Sequence, residues 1–145
     1  MDIVTETLNT FEYLQSRFSK QVTFLCQVPK EPILVMFNPT LHSWTIENLV
    51  KNAIDAMKGK GTLELQIEQD TYHIKINVKD SGSGIPKKQF KTIFETGFTT
   101  KKRGWGLGLS LTKRIVEEYH RGKIKVLQSE IGKGTTFQIS FNKKV

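Results

Sequence analysis

Val4, Leu8, Phe11, Leu14 and Phe18 recur at steps of four, three, three and four, which predicts one helix of about five turns carrying a single apolar stripe. The period then shortens to two. Val22, Phe24 and Cys26 alternate with other residues over 22–27, and a second strand-like run covers 33–37 after the breakers Pro29 and Pro32. Asn38-Pro39 has the order of a helix cap followed by its first residue. Ile46, Leu49, Ala53 and Met57 then keep helical spacing through 40–57, until Gly59 and Gly61 end the helix. Two more alternating runs, 62–68 and 72–78, flank Gln69-Asp70-Thr71 and predict an antiparallel hairpin. From Asp80 to Gly108 the chain is rich in glycine and basic residues, interrupted by a short helical piece over 86–94. A helix over about 107–119 follows, stopped by Arg121-Gly122, and a last hairpin pairs 123–128 with 135–141 around Gly132-Lys133-Gly134.

This pattern amounts to about six strands and three substantial helices, and the turns in both late strand pairs are too short for a parallel crossover. The expected fold is an α/β two-layer sandwich: a mixed, mostly antiparallel sheet with about three helices on one face. The glycine-rich stretch is its expected functional loop.

Composition narrows the class. The 145 residues suit one domain, and 37% hydrophobic with 25% charged residues excludes a disordered or collagenous chain. No apolar run approaches the roughly 20 residues that span a bilayer, and Met1 to Glu6 lack the basic-then-apolar order of a signal peptide. A soluble, cytoplasmic chain is expected. Cys26 is the single cysteine, so an internal disulfide and a cysteine-based metal cluster are excluded, and its place in an alternating run predicts a buried thiol. The formal net charge of +8 fits nucleic acid, an anionic membrane surface or a phosphorylated ligand, and composition does not choose among them.

Asn48 and Asn52 lie four apart on the second helix and share a face, where two carboxamides suit a hard cation and phosphate as well as they suit solvent. Asp80, Gly82 and Gly84 form a D-x-G-x-G turn directly after a strand. Glycines there let backbone approach a ligand, and the carboxylate can accept from an exocyclic amine, although Asp-Ser-Gly is also ordinary turn chemistry. Gly104, Gly106 and Gly108 run into a helix N-terminus behind Lys101, Lys102 and Arg103. That arrangement suits a triphosphate but matches neither the P-loop nor the dinucleotide fingerprint.

The order of these pieces is more specific than any one of them. Asn48-Leu49-Val50-Lys51-Asn52-Ala53, Asp80-Ser81-Gly82-Ser83-Gly84-Ile85-Pro86, 93–101 with Phe94 and Phe98, Gly104-Trp105-Gly106-Leu107-Gly108-Leu109-Ser110-Leu111 and Gly132-Lys133-Gly134-Thr135-Thr136-Phe137 resemble five successive boxes of one family. It is the catalytic ATP-binding domain of sensor histidine kinases, within the superfamily that also holds gyrase and the mismatch-repair ATPases. The match runs from about Leu25 to Phe141.

The resemblance implies that Asn52 binds the Mg²⁺ bridging the ATP triphosphate, that Asn48 stands beside the phosphates, and that these two form the catalytic pair. Asp80 would receive the adenine amino group, supported by Thr135 through water, with Gly82, Gly84, Ile85 and Phe94 shaping the nucleotide pocket. Gly106, Leu107 and Gly108 would hold phosphate with their amides, next to Leu109. Residues 96–105 would form a lid, with Thr99, Lys101 and Arg103 as its nucleotide contacts. Lys101 or Arg103 must supply the cation that many relatives carry where this chain has Asp55, and Trp105 replaces a smaller residue usual in its box.

In the gyrase-type branch a glutamate matching Asn48 activates water. Asn cannot take a proton near neutral pH, and Glu47, one position away, is turned about 100° around the helix. Transfer to an external nucleophile is therefore expected over hydrolysis.

That nucleophile would be a histidine on a separate dimerisation domain, and none of His42, His73 and His120 fits it. All three are expected at surface or helix-end positions. Residues 1–20 are expected as the tail of a preceding dimerisation-domain helix, its stripe cut off from partners, and 21–145 as the ATP-binding domain. Further expected partners are a response regulator receiver domain and, in the parent protein, a second copy. The isolated domain is expected as a monomer without nucleic acid, since much of the basic excess clusters in 87–114 beside the triphosphate site. A free-standing serine kinase resembling anti-sigma factors is the nearest alternative, and a nucleic-acid-binding module the next.

Overall fold

The computed structural model describes residues 2–18, 20–95 and 108–143. The order is α1 (Ile3–Phe18), β1 (Val22–Gln27), α2 (Pro39–Ala56), β2 (Gly61–Gln69), β3 (His73–Asp80), α3 (Gly108–Arg114), β4 (Lys123–Glu130) and β5 (Gly134–Asn142). The five strands form one sheet in the order β1-β2-β3-β5-β4, with β1 parallel to β2 and the other pairs antiparallel. Inward positions of alternate residues, among them Leu63, Leu65, Ile74, Ile76, Val78, Phe137 and Ile139, make one apolar face. α2 covers it with Ile46, Leu49, Val50 and Ala53. The expected α/β sandwich with a mixed, mostly antiparallel sheet is what forms.

α2 begins as its sequence dictates. Asn38 sits in extended conformation, its side chain accepts from the Leu41 N–H at 3.0 Å, and Pro39 occupies the first turn, where a missing N–H costs nothing. The cap is tied to the end of the helix that α3 begins, because the Asn38 N–H donates to His120 Nε2 at 3.0 Å.

Several expectations change. Residues 33–37 form no strand. Ile33 and Val35 are buried while Leu34 and Met36 are exposed, as alternation predicts. The Ile33 backbone, however, bonds to Asp2 Oδ1 and to the Ile3 N–H, leaving one isolated bridge between Asp2 and Leu34. The piece over 86–94 is two short 3₁₀ turns, Lys87–Gln89 and Thr92–Phe94, and the helix expected to about 119 ends in a π-helical turn over Ile115–Tyr119. Cys26 is exposed, because β1 is an edge strand whose burial falls off after Val22 and the half-buried Phe24. Finally, the α1 stripe does not lack partners. Ile3, Val4, Phe11 and Leu14 are buried, and the Phe11 ring meets Phe24 edge-on at 5.2 Å, so α1 is part of this core whatever precedes it.

His42 is likewise a core residue, 1% exposed on the α2 face that carries Ile46 one turn later. Thr7 spends its hydroxyl hydrogen on the Ile3 carbonyl at 2.6 Å, so its contact with His42 Nε2 at 2.7 Å makes the ring nitrogen the donor. Nδ1 is then bare, and it has no partner among the described residues. Burial, followed by the nearby His120, pushes the His42 pKa down to about 3. The fold therefore refuses a proton that the unfolded chain takes up below about pH 6.5. The stabilisation is whole above that pH and declines toward pH 3, by about 1.4 kcal/mol per pH unit from this one group. His42→Gln keeps a donor for Thr7 and does not titrate. Urea midpoints measured at pH 7 and pH 4.5 should fall less for it than for the wild type.

Candidate functional site

A cavity of about 640 Å³ opens between α2, the ends of β3 and β5, and the start of α3, within the range of small-molecule sites. Its wall includes Asn48, Asn52 and Asp55 from α2, Asp80, Gly84 and Ile85 from the turn after β3, Gly108 and Leu109 from α3, and Thr135 and Phe137 from β5. Segments far apart in sequence meet here because β3 and β5 are neighbours with Asp80 opposite Thr135.

Asp80 is 4% exposed. Its Oδ1 accepts from the Gly82 N–H at 2.8 Å and from the Thr135 N–H at 3.3 Å, which leaves Oδ2 for an incoming donor. Burial raises its carboxyl above the ordinary Asp range, and the two N–H bonds work against that rise. A carboxylate that lines the cavity with one oxygen already bonded can accept from an N–H group with the other.

The glycines make this approach possible. Gly84 adopts a positive φ of 82°, and a side chain there would run into the Glu130 backbone. Gly134 has φ 130°, and a Cβ would overlap the Asp80 carbonyl. Gly82 is absent from the cavity wall. Its place is behind it, where an added Cβ would lie 2.7 Å from the Ala56 backbone.

At the other end, Thr112 donates to the Gly108 carbonyl at 2.7 Å, so its contact with Asn48 Nδ2 at 2.7 Å makes the carboxamide the donor. The Asn48 carboxamide is thereby fixed across the α2–α3 seam, with Oδ1 beside Gly108. Asn52 stands one turn further along α2 in the same wall. A carboxamide oxygen is a suitable hard donor for Mg²⁺, which favours one or two protein ligands together with phosphate and water. No group of three or more His, Cys, Asp or Glu side chains suited to a metal exists among the described residues.

Of the residues singled out in the sequence, Asn48, Asn52, Asp80, Gly84, Ile85, Gly108, Leu109 and Thr135 share this wall. Phe94 does not line it. Phe94 is buried edge-on against Phe137 with ring centroids 6.1 Å apart, and its neighbour Ile93 faces the cavity instead. Thr99, Lys101, Arg103, Gly106 and Leu107, together with Trp105 and the lid over 96–105, lie outside the described residues. Thr112 and Ser129 belong to none of the sequence boxes. The first is signalled only by its place one turn after Gly108, and the second by standing across the last turn from Thr135.

The profile described as histidine kinase-, DNA gyrase B-, and HSP90-like ATPase matches residues 40–145. Sporulation kinase A of Bacillus subtilis (strain 168) is 46% identical over 97 residues, covering 67% of this chain and 16% of that protein. The nucleotide-free catalytic domain of histidine kinase ThkA superposes with a TM-score of 0.87 at 27% identity, covering 98% of this chain and 95% of that one. ThkA in complex with the response regulator protein TrrA gives a TM-score of 0.83 at 25% identity, covering 99% and 41%. The chain thus spans about a sixth of sporulation kinase A and nearly all of an isolated catalytic domain. No helix among the described residues is long and apolar enough to cross a membrane.

Proposed function

The chain belongs to the family of histidine kinase-, DNA gyrase B-, and HSP90-like ATPases, and from that premise we propose that it is the ATP-binding catalytic domain of a two-component sensor histidine kinase. It would transfer the γ-phosphoryl group of ATP to a histidine on a dimerisation domain that lies outside this sequence. The observation that carries this reading is Asp80, buried at a strand end with one carboxylate oxygen held by two backbone N–H groups and the other left for the amino group of adenine.

With the base at Asp80, the triphosphate would reach toward the part of the cavity lined by Asn48, Asn52 and Gly108. Asn52 would hold Mg²⁺, which neutralises triphosphate charge when bound. Asn48, fixed through Thr112, orients phosphate by hydrogen bonding and takes no proton from water. Positioning without a base favours transfer to a supplied nucleophile over hydrolysis. By the family resemblance, Lys101 or Arg103 would supply further positive charge and Thr99 would be a further nucleotide contact. The same resemblance would have Gly106 and Leu107 join Gly108 in holding the phosphates. In the complete protein the phosphohistidine passes its phosphoryl group to a receiver domain, the parent is a cytoplasmic or membrane-anchored homodimer, and the segment leading into α1 connects the two domains.

Asn52→Ala should leave adenine recognition in place and reduce the enhancement of ATP binding by Mg²⁺ about tenfold, measured as Kd with magnesium and with EDTA. The reaction class is tested by incubating the chain with γ-labelled ATP and a histidine-bearing dimerisation domain supplied separately. Acid-labile label on that domain supports the proposal. Acid-stable label on serine of a bystander protein points to the serine kinase, and no transfer to any acceptor in the presence of bound ATP refutes kinase function.

A further inference from the structure

Ser129 is the last inward residue of β4 before the turn, and none of the boxes above includes it. Its hydroxyl makes three contacts: the Ile85 N–H at 2.7 Å, the Gly134 carbonyl at 3.0 Å and the Thr135 hydroxyl at 2.8 Å. A serine hydroxyl has one hydrogen and two lone pairs. The Ile85 N–H takes one lone pair, and the Gly134 carbonyl, which can only accept, takes the hydrogen. The remaining lone pair must meet the Thr135 hydrogen. The other possible assignment, with Ser129 donating to Thr135, leaves the 3.0 Å contact to Gly134 without a proton and makes one bond fewer.

The consequence falls on Thr135, which lines the cavity. With its hydrogen turned back to Ser129, it offers the cavity lone pairs only. Asp80, opposite it across the strands, also offers only a lone-pair oxygen. Asp80 and Thr135 therefore both face the cavity as acceptors, directly or through a bridging water.

We propose that Ser129 sets this polarity and is thereby a specificity-determining positioning residue, favouring a purine that carries an exocyclic amine at position 6 over one that carries a carbonyl there. The inference rests on the nucleotide-binding reading above. Without Ser129, the Thr135 hydroxyl is free to rotate and donate to a 6-carbonyl oxygen, which the wild-type pocket meets with lone pair against lone pair.

Inosine triphosphate isolates the effect, since it differs from ATP at position 6 and the adjoining ring nitrogen and lacks the 2-amino group of GTP. Kd values for ATP and inosine triphosphate are measured on the wild type, Ser129→Ala and Ser129→Thr. The wild type should prefer ATP, Ser129→Ala should narrow that preference about tenfold, and Ser129→Thr, which keeps the hydroxyl, should restore it. Ser129→Cys, with a weaker donor and acceptor, carries the same test where the alanine variant does not fold, and it should narrow the preference as well. A purely structural role would weaken both nucleotides together, so an unchanged ratio overturns the inference while leaving ATP binding intact. A wild type that binds neither nucleotide overturns the binding reading and this inference together.

Discussion

Gly134→Ala should lower the melting temperature by about 10–20 °C, the largest single-residue effect on stability expected outside the apolar core. Two costs add. The backbone at Gly134 has φ 130°, a region closed to side chains, and the new methyl would overlap the carbonyl of Asp80 on the neighbouring strand. Relief requires β5 to move away from β3 at the point where Asp80 and Thr135 are paired. Together the strain and the overlap cost about 3–5 kcal/mol. Gly132→Ala is the internal control: its φ of 80° is also positive, but an added methyl meets nothing within 4 Å, so only the smaller backbone cost applies. Thermal unfolding of the two variants side by side separates overlap from turn strain. Equal melting temperatures would show that β5 yields easily and that the base pocket is not held by close backbone approach.

Asp80→Asn should weaken ATP binding by about 100-fold or more while leaving the fold in place. The variant replaces one carboxylate oxygen by NH₂, and its effect depends on where that group must sit. Gly82 and Thr135 both present N–H groups to Oδ1, so an asparagine has to keep its oxygen there. Its NH₂ group is then forced into the position of Oδ2, aimed at the cavity. A donor would face the amino group of adenine, and two donors in a desolvated pocket repel. Circular dichroism should be unchanged, because the two backbone bonds survive. Asp80 also carries a desolvation cost that raises its pKa, so losing the charge offsets part of any lost stability. Full ATP affinity in Asp80→Asn would mean that the base is recognised elsewhere.

Much of this was legible in the sequence. Alternation at Leu63, Leu65 and Ile67, and again at Ile74, Ile76 and Val78, specified the hairpin and its inward face, since a one-residue slip would expose all of it. Asn38-Pro39 announced the start of α2, and the four-residue spacing of Asn48 and Asn52 put them on one face of it. What alternation could not supply was a neighbour. Residues 33–37 alternate as a strand does, but the Ile33 backbone groups are satisfied by Asp2 and Ile3 rather than by a strand of the sheet. Cys26 has the parity of a buried residue and is exposed because its strand is at the edge.

Polar residues were harder to read for a related reason. His42 has the spacing of the α2 core but the chemistry of a surface residue, and only the Thr7 hydroxyl, 35 positions away, makes its burial tolerable. Thr112 and Ser129 act by orienting Asn48 and Thr135, and a hydroxyl's direction depends on three-dimensional partners that no linear motif states.

The central claim, that this cavity binds ATP through its adenine base, is tested most directly by titrating Mg-ATP into the wild-type chain in a calorimeter, with Asp80→Asn run in parallel. Saturable one-to-one binding by the wild type and its loss in the variant is the predicted result. Absence of binding at millimolar ATP, or equal binding by both proteins, would contradict it.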